Sequence, residues 1–227
     1  SAQSVLNQTW RSLELIIVDD ASDDGTWGIV ARLAERDARV RALRNKVATG
    51  PYAAKNSACL IAKGEFITGQ DADDWSHPQR LERQMAALQR HAGGGADLCL
   101  MYMLRVTRDG RFAFNRRAGW RPSPAMPAYY FDGLARLSFV SALFRRDFLF
   151  THLGFWDSVR YAADADMIFR AMLAAQGRVA VVPAISMLCL DRPDSLTGGL
   201  ASRAGTHAPA LTPVRREYSN RSKLWWQ

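Results

Sequence analysis

A cluster of three aspartates stands about one third of the way along the chain. Asp71, Asp73 and Asp74 fall within four successive positions, directly after the segment EFITGQ at residues 65–70. One carboxylate would be enough to cap a helix beginning near Pro78, whereas three repel one another unless a cation or hydrogen-bond donors offset their charge. Hard oxygen ligands of this kind suit Mg²⁺ or Mn²⁺, which commonly share their coordination with the phosphates of a substrate. The cluster therefore favours a metal–diphosphate site over a simple helix cap.

A second acidic cluster stands earlier in the chain. Asp19 and Asp20 follow the apolar segment LELIIV at residues 13–18, and Asp23 and Asp24 come shortly after them. Turn and helix-capping preferences account for Asp23 and Asp24, but less well for the two aspartates that adjoin the apolar segment. In open α/β sheets, ligands bind outside the carboxyl ends of the strands. Both clusters are therefore expected at one ligand-binding edge.

A third acidic pair, Asp164 and Asp166, lies in the segment RYAADADMIFRAM at residues 160–172. Acidic groups at the start of a helix interact favourably with its dipole, so helix capping by itself would explain the pair. If the helix start faces the same cleft as the other two clusters, Asp164 becomes a candidate general base. The sequence leaves both interpretations open.

Apolar segments with strand character alternate with amphipathic helical patterns over the first ninety residues. The predicted strands are 13–18, 39–43 and 65–70, and the predicted helices are 26–36, 52–62 and 78–91. This alternation predicts an α/β fold with a largely parallel sheet that helices cover on both faces. Further along, strands are predicted at 137–144, 178–183 and 185–190, and a helix at 165–176.

The composition limits the classes of protein that need to be considered. With 227 residues, of which 48% are hydrophobic, the chain is long enough to bury the core of one domain. No stretch reaches the roughly 18 apolar residues of a membrane-spanning helix. The three widely spaced cysteines are predicted to be core residues in a reducing compartment. The formal net charge of +8 suits an acidic partner, whether phosphates, an anionic membrane face or nucleic acid.

Two basic regions have both a structural and a functional interpretation. Residues 105–121 carry six arginines, which fit either a solvated surface or a groove for an anionic acceptor or lipid diphosphate. Residues 198–227 are predicted to form a mobile basic tail. Its tryptophans, Trp225 and Trp226, would suit an anionic membrane interface or would pack against the domain. The arginines show no nucleic-acid recognition motif, so no nucleic-acid partner is expected.

Four segments together carry a family resemblance. They are SVLNQTW (4–10), LELIIVDDASDDGT (13–26), AAKNSACLIAKGEFITGQDADDW (53–75) and GFWDSVRYAADADMIFRAM (154–172). Their order and spacing resemble the family 2 glycosyltransferases of GT-A fold, over residues 4 to about 197. The resemblance implies a Rossmann-like three-layer α/β/α sandwich with a mostly parallel mixed sheet. It also implies transfer of a sugar from a nucleotide-diphosphate donor, usually UDP-linked, with inversion at the anomeric carbon.

The resemblance assigns roles to the nucleotide-binding part, expected at residues 1–104. Asp20 looks like the carboxylate that meets the uracil ring, Asp71 like the one near the ribose, and Asp73 like the ligand of Mn²⁺ or Mg²⁺. Lys55 stands where the family usually has Arg, close to the nucleotide.

The acceptor part is expected at residues 105–197. Asp164 matches the family's catalytic base, although the preceding position is Ala163 where the family normally has Glu. Arg192, in the segment LDRPDSLT, takes the place of His in the family's R-x-H-P-x-S segment near the diphosphate.

One departure from the family concerns the beginning of the domain. Family members normally start with a strand and a P-x-Y-N-like turn, whereas this sequence starts within the helix that follows them. The resemblance implies that a central strand is absent and that its neighbours keep unpaired edges. It also suggests that these residues are part of a longer polypeptide.

The resulting hypothesis is a metal-dependent inverting glycosyltransferase of surface polysaccharide synthesis. Its expected partners are a UDP-sugar donor and a glycan or lipid-linked acceptor. Its expected location is the cytoplasm, with peripheral association at the inner face of the membrane. Two alternatives are a sugar-phosphate nucleotidylyltransferase and an inactive donor-binding or scaffold domain of a larger glycan-synthesis protein.

Overall fold

A computed structural model describes residues 1–91, 95–110, 112–113, 142–157 and 163–191 of the chain. The helices are α1 (Ala2–Leu6), α2 (Thr26–Arg36), α3 (Pro51–Ile61), α4 (Arg80–Arg90), α5 (Arg146–Phe148) and α6 (Ala163–Ala174). A π-helical turn, Leu149–Leu153, continues α5. The strands are β1 (Leu15–Asp19), β2 (Val40–Arg44), β3 (Phe66–Thr68), β4 (Trp75–Ser76), β5 (Leu98–Thr107), β6 (Phe112–Ala113), β7 (Leu143–Arg145) and β8 (Val179–Asp191). The predicted α/β alternation over the first ninety residues is confirmed.

Local sequence signals explain where the two helices nearest the acidic clusters begin. The Asp24 carboxylate accepts hydrogen bonds from the backbone N–H of Thr26 at 3.1 Å and from its hydroxyl at 2.6 Å, at the first residue of α2. Pro51 occupies the first turn of α3, where its missing N–H costs nothing. Gly50 precedes it with φ of +92°, a left-handed conformation that favours glycine.

The strands form a mixed sheet in two hydrogen-bonded parts. β1 pairs in parallel with β2, and the second part has the order β3-β7-β5-β8-β4, with β6 added to β5. The two parallel ladders, β1 with β2 and β5 with β8, are the longest. The other pairs are short and antiparallel. The predicted mixed sheet is thus confirmed.

The prediction of two strands at 178–183 and 185–190 is wrong, because β8 is one continuous strand. Val182 pairs with Met101 and Ile185 pairs with Tyr102, so the residues between them form an irregularity in the ladder. Pro183 lies in this irregularity, where its lack of an N–H removes no ladder hydrogen bond. The proline that suggested a strand end is accommodated as a bulge instead.

A cleft separates β1 from β3. Among the described strands, β1 pairs only with β2 and β3 pairs only with β7, so each keeps an edge without a strand partner, as the resemblance implies. Both strands line the same cleft, which has a volume of about 1420 Å³. Glu14 spans one end of the cleft, because its Oε1 accepts backbone hydrogen bonds from Lys63 at 2.6 Å and Gly64 at 3.0 Å. The N-terminal ends of β1 and β3 therefore lie side by side.

The main hydrophobic core lies between α3, α6 and the β5–β7 region of the sheet. Trp156, only 2% exposed, packs in this core just before α6. Of the strand predicted at 137–144, only its end lies within the described residues, and it forms the start of β7. In the parts of the chain that the structure describes, no helix is both long and apolar enough to cross a bilayer.

Candidate functional site

The first turns of α3 bring together three of the six site residues predicted from the sequence. Lys55, on α3, places its Nζ 3.0 Å from Asp71 Oδ1 and 3.9 Å from Asp164 Oδ1. Asp71 follows β3, and Asp164 lies in the first turn of α6. Three segments that are far apart in sequence therefore meet around one ammonium group. Asp71 and Asp164, two of the carboxylates that the sequence analysis expected near one another, thus both approach Lys55.

The electrostatic environment of Lys55 keeps it charged. Its side chain is only 18% exposed. Burial acts to lower the pKa of Lys55, but the Asp164 and Asp71 carboxylates outweigh this effect and raise the pKa above its ordinary value. Lys55 is thus a permanent cation between two carboxylates at neutral pH.

Asp20 lies just past the carboxyl end of β1, at the N-terminal side of α3. Its Oδ1 accepts hydrogen bonds from Asn45 Nδ2 at 2.7 Å and from the Thr49 hydroxyl at 2.9 Å. Its Oδ2 accepts one from the Gly50 N–H at 2.7 Å. Burial acts to raise the pKa of Asp20, but these hydrogen bonds outweigh it and lower the pKa below its ordinary value. Asp20 therefore holds the loop that leads into α3, and its contact with a uracil ring stays a prediction.

Asp19, the neighbour of Asp20, has a different environment. It is the last residue of β1 and is buried. Its Oδ2 lies 3.1 Å from Arg44 Nε, and the two residues are register partners in the β1–β2 ladder. Asp19 is therefore part of the sheet, as an ion-paired strand end.

The turn after β3 that carries Asp71, Asp73 and Asp74, called the acidic turn below, is held in place by hydrogen bonds from a buried arginine. Arg80, the first residue of α4, is 2% exposed. Its guanidinium donates to the Ser76 hydroxyl at 3.1 Å, to the Gly69 carbonyl at 3.2 Å and to the Thr68 hydroxyl. The residues before and after the aspartates are thus tied to one rigid group. The sequence analysis missed Arg80, because its position in a helical pattern is typical of an exposed residue.

Within this turn, Asp74 faces inward while Asp71 and Asp73 remain partly exposed. The Asp74 N–H donates to the Asp71 carbonyl at 3.1 Å, which closes the turn. Burial raises the pKa of Asp74 to about 6, and the neighbouring Asp71 and Asp73 carboxylates act in the same direction. The Cys189 thiol, 3.4 Å from Asp74 Oδ2, partly opposes the rise. The turn therefore carries more negative charge than its protein neighbours offset.

The acidic turn fits a divalent cation that is shared with a substrate. Among the described residues, no three His, Cys, Asp or Glu side chains lie close enough to form a metal site by themselves. Mg²⁺, however, is usually held by one or two carboxylates together with substrate phosphates and water. Asp73 offers a carboxylate of this kind. It lies on the same turn as Asp71, and the negative charge of this turn already disfavours ionisation of Asp74.

Two residues that flank Lys55 were missed by the sequence analysis. The Tyr52 hydroxyl lies 3.2 Å from Asp164 Oδ2. Asn56 makes two hydrogen bonds to the backbone of Trp156, donating to its carbonyl at 2.8 Å and accepting from its N–H at 3.0 Å. The helical spacing of Tyr52 and Lys55, three residues apart, was an available signal that they share a face.

Some predicted functional regions lie outside the described residues. Arg192 and the tail at 198–227 are among them, and so is most of the arginine-rich segment at 105–121. Their predicted roles stay predictions.

We predict that Asp20→Asn lowers the free energy of unfolding of the ligand-free protein by about 1–3 kcal/mol, because one carboxylate oxygen is replaced by an amide that cannot accept a hydrogen bond. Urea denaturation followed by circular dichroism measures this change. Asp23→Asn is the matched control, since Asp23 is exposed. An unchanged midpoint for Asp20→Asn would show that Asp20 does not anchor the loop.

Asp74 gives a prediction about pH. Its folded-state pKa of about 6 lies above the unfolded value of about 3.9, so the folded state binds this proton more tightly. The resulting stabilisation is present below about pH 4 and is lost as the pH rises to about 6, by about 2–3 kcal/mol. Asp74→Asn should therefore flatten the unfolding free energy over this range and stabilise the protein at pH 7.

Urea titrations at pH 4, 5, 6 and 7 test this dependence, with Asp147→Asn at an exposed position as the control. A wild-type pH profile that Asp74→Asn leaves unchanged would contradict the assignment.

Comparisons with known proteins identify the family. Residues 1–150 match the family described as Glycosyl transferase family 2. The succinoglycan biosynthesis protein ExoO of Rhizobium meliloti is 30% identical over 205 residues, which cover 86% of this chain and 57% of ExoO. The Escherichia coli protein WfaP, a UDP-Glc:alpha-D-GlcNAc-diphosphoundecaprenol beta-1,3-glucosyltransferase, is 35% identical over 85 residues, which cover 37% of this chain and 33% of WfaP. The chain thus spans between a third and somewhat over half of these relatives.

Solved structures agree on the fold. The crystal structure of S. aureus TarS 1–349 in complex with UDP-GlcNAc superposes with a TM-score of 0.70 at 22% identity, covering 84% of this chain and 54% of that one. The complex of the same protein with UDP gives a TM-score of 0.66 at 20% identity, covering 85% and 56%. The predicted GT-A fold is confirmed. With the family match over residues 1–150, these comparisons show that the chain belongs to glycosyl transferase family 2.

Proposed function

We propose that this chain carries the donor-binding and catalytic residues of an inverting glycosyltransferase. In this proposal a sugar moves from a UDP-linked donor to a hydroxyl group of a glycan or lipid-linked acceptor in surface polysaccharide synthesis. The observation that carries the proposal is the position of Lys55 between Asp71 and Asp164. It joins a carboxylate on the acidic turn to the carboxylate that matches the catalytic base of the family.

Similar proteins support the choice of donor and acceptor. TarS has been solved with UDP and with UDP-GlcNAc. WfaP is named for transfer from UDP-Glc to a sugar on diphosphoundecaprenol, and ExoO for succinoglycan biosynthesis. We extend from these relatives a UDP-sugar donor and a glycan or lipid-linked acceptor.

In the proposed reaction the acceptor oxygen attacks the anomeric carbon from the face opposite the nucleoside diphosphate. The bond from that carbon to the diphosphate oxygen breaks, and its electron pair leaves with the diphosphate. Asp164 takes the proton of the acceptor hydroxyl, a contribution of about 10²–10⁴-fold for a general base. Lys55 offers fixed positive charge near the diphosphate, and Arg192 is proposed to do the same.

Asp73 is the proposed ligand of the divalent cation. A bound Mg²⁺ or Mn²⁺ would supply positive charge that stabilises the leaving phosphates. Asp71, beside Asp73, is proposed to lie near the ribose, and Asp20 near the base. These assignments follow the family motif, and the shared turn of Asp71 and Asp73 supports them.

The division of the chain and its location are also proposals. We assign donor binding to residues 1–104 and acceptor binding to 105–197, with the basic segment 198–227 at an anionic membrane face. The three cysteines, which all lie within the described residues and form no disulfide, support a reducing compartment such as the cytoplasm.

We predict that Asp164→Asn reduces kcat of sugar transfer by at least about 10²-fold and leaves the Kd of the UDP-sugar nearly unchanged, because the base is needed for chemistry rather than for donor binding. Isothermal titration with UDP-GlcNAc and UDP-Glc gives the Kd, and release of UDP gives the rate. The control is Asp147→Asn. An equal loss of binding and turnover would contradict the assignment of the base.

The cation and donor are tested together. The purified chain is incubated with UDP-, GDP- and TDP-sugars and Mn²⁺, and nucleotide release is measured. We expect release from a UDP-sugar that disappears with EDTA and in Asp73→Ala, because the leaving diphosphate loses its counter-charge. Asp147→Ala serves as the matched control.

Other outcomes of that experiment point elsewhere. UDP-sugar binding without turnover would indicate a donor-binding or scaffold domain. Pyrophosphate-dependent nucleotide exchange would indicate a sugar-phosphate nucleotidylyltransferase. Release that is unaffected by EDTA would overturn the assignment of a metal to Asp73.

A further inference from the structure

Tyr52 lies on the first turn of α3, with its ring buried and 8% exposed. Its hydroxyl is 3.2 Å from Asp164 Oδ2. A carboxylate can only accept hydrogen bonds, so in this contact the tyrosine hydroxyl donates. The buried ring leaves the hydroxyl little freedom to move away from that oxygen.

Lys55 approaches the same carboxylate from the same helical face. It follows Tyr52 by three residues, a spacing that places two side chains next to each other on a helix. Its Nζ lies 5.6 Å from the centroid of the Tyr52 ring and 3.9 Å from Asp164 Oδ1. One turn of α3 therefore places a hydroxyl within hydrogen-bond distance of Oδ2 and an ammonium group within ion-pair distance of Oδ1 of Asp164.

The turn that carries these two groups is itself held at several points. Asp20 accepts a hydrogen bond from the Gly50 N–H at its start, and Pro51 restricts its first residue. Just beyond Lys55, Asn56 makes its two hydrogen bonds to the backbone of Trp156, a core residue shortly before α6. The two side chains thus project from a rigid element rather than from a loop.

We propose that Tyr52 is a positioning residue for Asp164 that keeps the carboxylate oriented for proton transfer. This inference rests on the proposed function, in which Asp164 is the general base. Lys55 also contacts Asp71 on the acidic turn, so its interaction with Asp164 is shared with the donor side of the site. The Tyr52 hydrogen bond supplies a second contact that does not depend on how Lys55 responds when the diphosphate binds.

The other charged groups near Asp164 leave this assignment intact. On its own helix, Asp166 pairs with Arg170 at 2.7 Å, and Arg170 also donates to the Phe155 carbonyl at 3.2 Å. On the acidic turn, the Asp71 and Asp74 carboxylates act, like Asp164, on Lys55. A change confined to the Tyr52 hydroxyl therefore alters the orientation of the base with little change in the surrounding charge.

The test is Tyr52→Phe, which removes the hydroxyl and keeps the buried ring. With UDP-GlcNAc or UDP-Glc as the donor, whichever the wild type uses, we expect kcat to fall by about 10-fold, the size of a lost hydrogen bond to a charged group. The donor Kd and the urea midpoint should change little. Tyr102→Phe on β5 is the matched control and should leave kcat unchanged.

A mutant cycle with Asp164→Asn distinguishes positioning from a general effect on the fold. If Tyr52 acts through Asp164, adding Tyr52→Phe to Asp164→Asn should reduce kcat by less than about twofold further. An unchanged kcat in Tyr52→Phe, or an equal loss in both backgrounds, would overturn the inference. A fall in kcat matched by Tyr102→Phe would do the same.

The cycle also separates this inference from the proposed function. If Asp164→Asn keeps full transfer, the proposed base is wrong and the function proposal fails. If Asp164→Asn abolishes transfer while Tyr52→Phe leaves kcat unchanged, only the positioning role fails. If the residual rate of Asp164→Asn is too slow to measure, Tyr52→Phe is judged by itself. A fall in kcat with an unchanged donor Kd supports the positioning role, and an unchanged kcat or an equal loss of donor binding contradicts it.

Discussion

The arrangement of this site depends on the compensation of negative charge by a single ammonium group. Lys55 lies within 4 Å of two carboxylates that come from different segments, Asp71 after β3 and Asp164 in α6. An ammonium and a carboxylate at about 4 Å attract each other by about 4 kcal/mol in the partly screened environment near a protein surface. Without Lys55 these segments would be driven apart. With Lys55 in place, the three groups together still carry a net negative charge, which suits the binding of a cation.

The remaining negative charge is concentrated on a turn that has little freedom to relax. The Arg80 guanidinium beneath it is buried and donates to the residues on both sides of the aspartates. Burying a guanidinium is costly unless hydrogen bonds offset the loss of water, and the carbonyl and hydroxyl acceptors around its two terminal nitrogens provide part of this compensation. The ionised form of Asp74 is also disfavoured, because burial and its two acidic neighbours raise its pKa to about 6. The turn thus holds a negative charge density that the proposed divalent cation would offset.

Helix α3 connects the parts of the site. Its start is tied to Asp20 after β1, its first turns face Asp71 and Asp164, and Asn56 is bonded to the backbone of Trp156. The same helix lines the cleft between β1 and β3. A change in the separation of these strands would therefore act on the end of α3 that carries Lys55, which links the integrity of the sheet to the geometry of the proposed catalytic groups.

The sequence by itself determined the α/β alternation, because hydrophobic periodicity and capping residues act within a few positions of one another. It also determined the family, because the order and spacing of the four motifs can be recognised in the sequence without knowing which residues are in contact. The acidic residues at strand ends were recognisable for the same reason. The pairing of the strands was harder to predict from the sequence. The segment that forms β8 was predicted as two strands because Pro183 is a local signal of a strand end. The bulge that accommodates this proline depends on pairing with β5.

The tertiary structure alone decided which groups meet. Tyr52, Asn56 and Arg80 look like ordinary members of helical patterns, and their roles arise from partners up to about a hundred positions away. Asp19 and Asp20 are adjacent in sequence, yet one pairs with Arg44 in the sheet while the other holds the loop before α3. Successive residues at the end of a strand point to opposite faces, and only the neighbours folded against each face determine which donors a carboxylate finds.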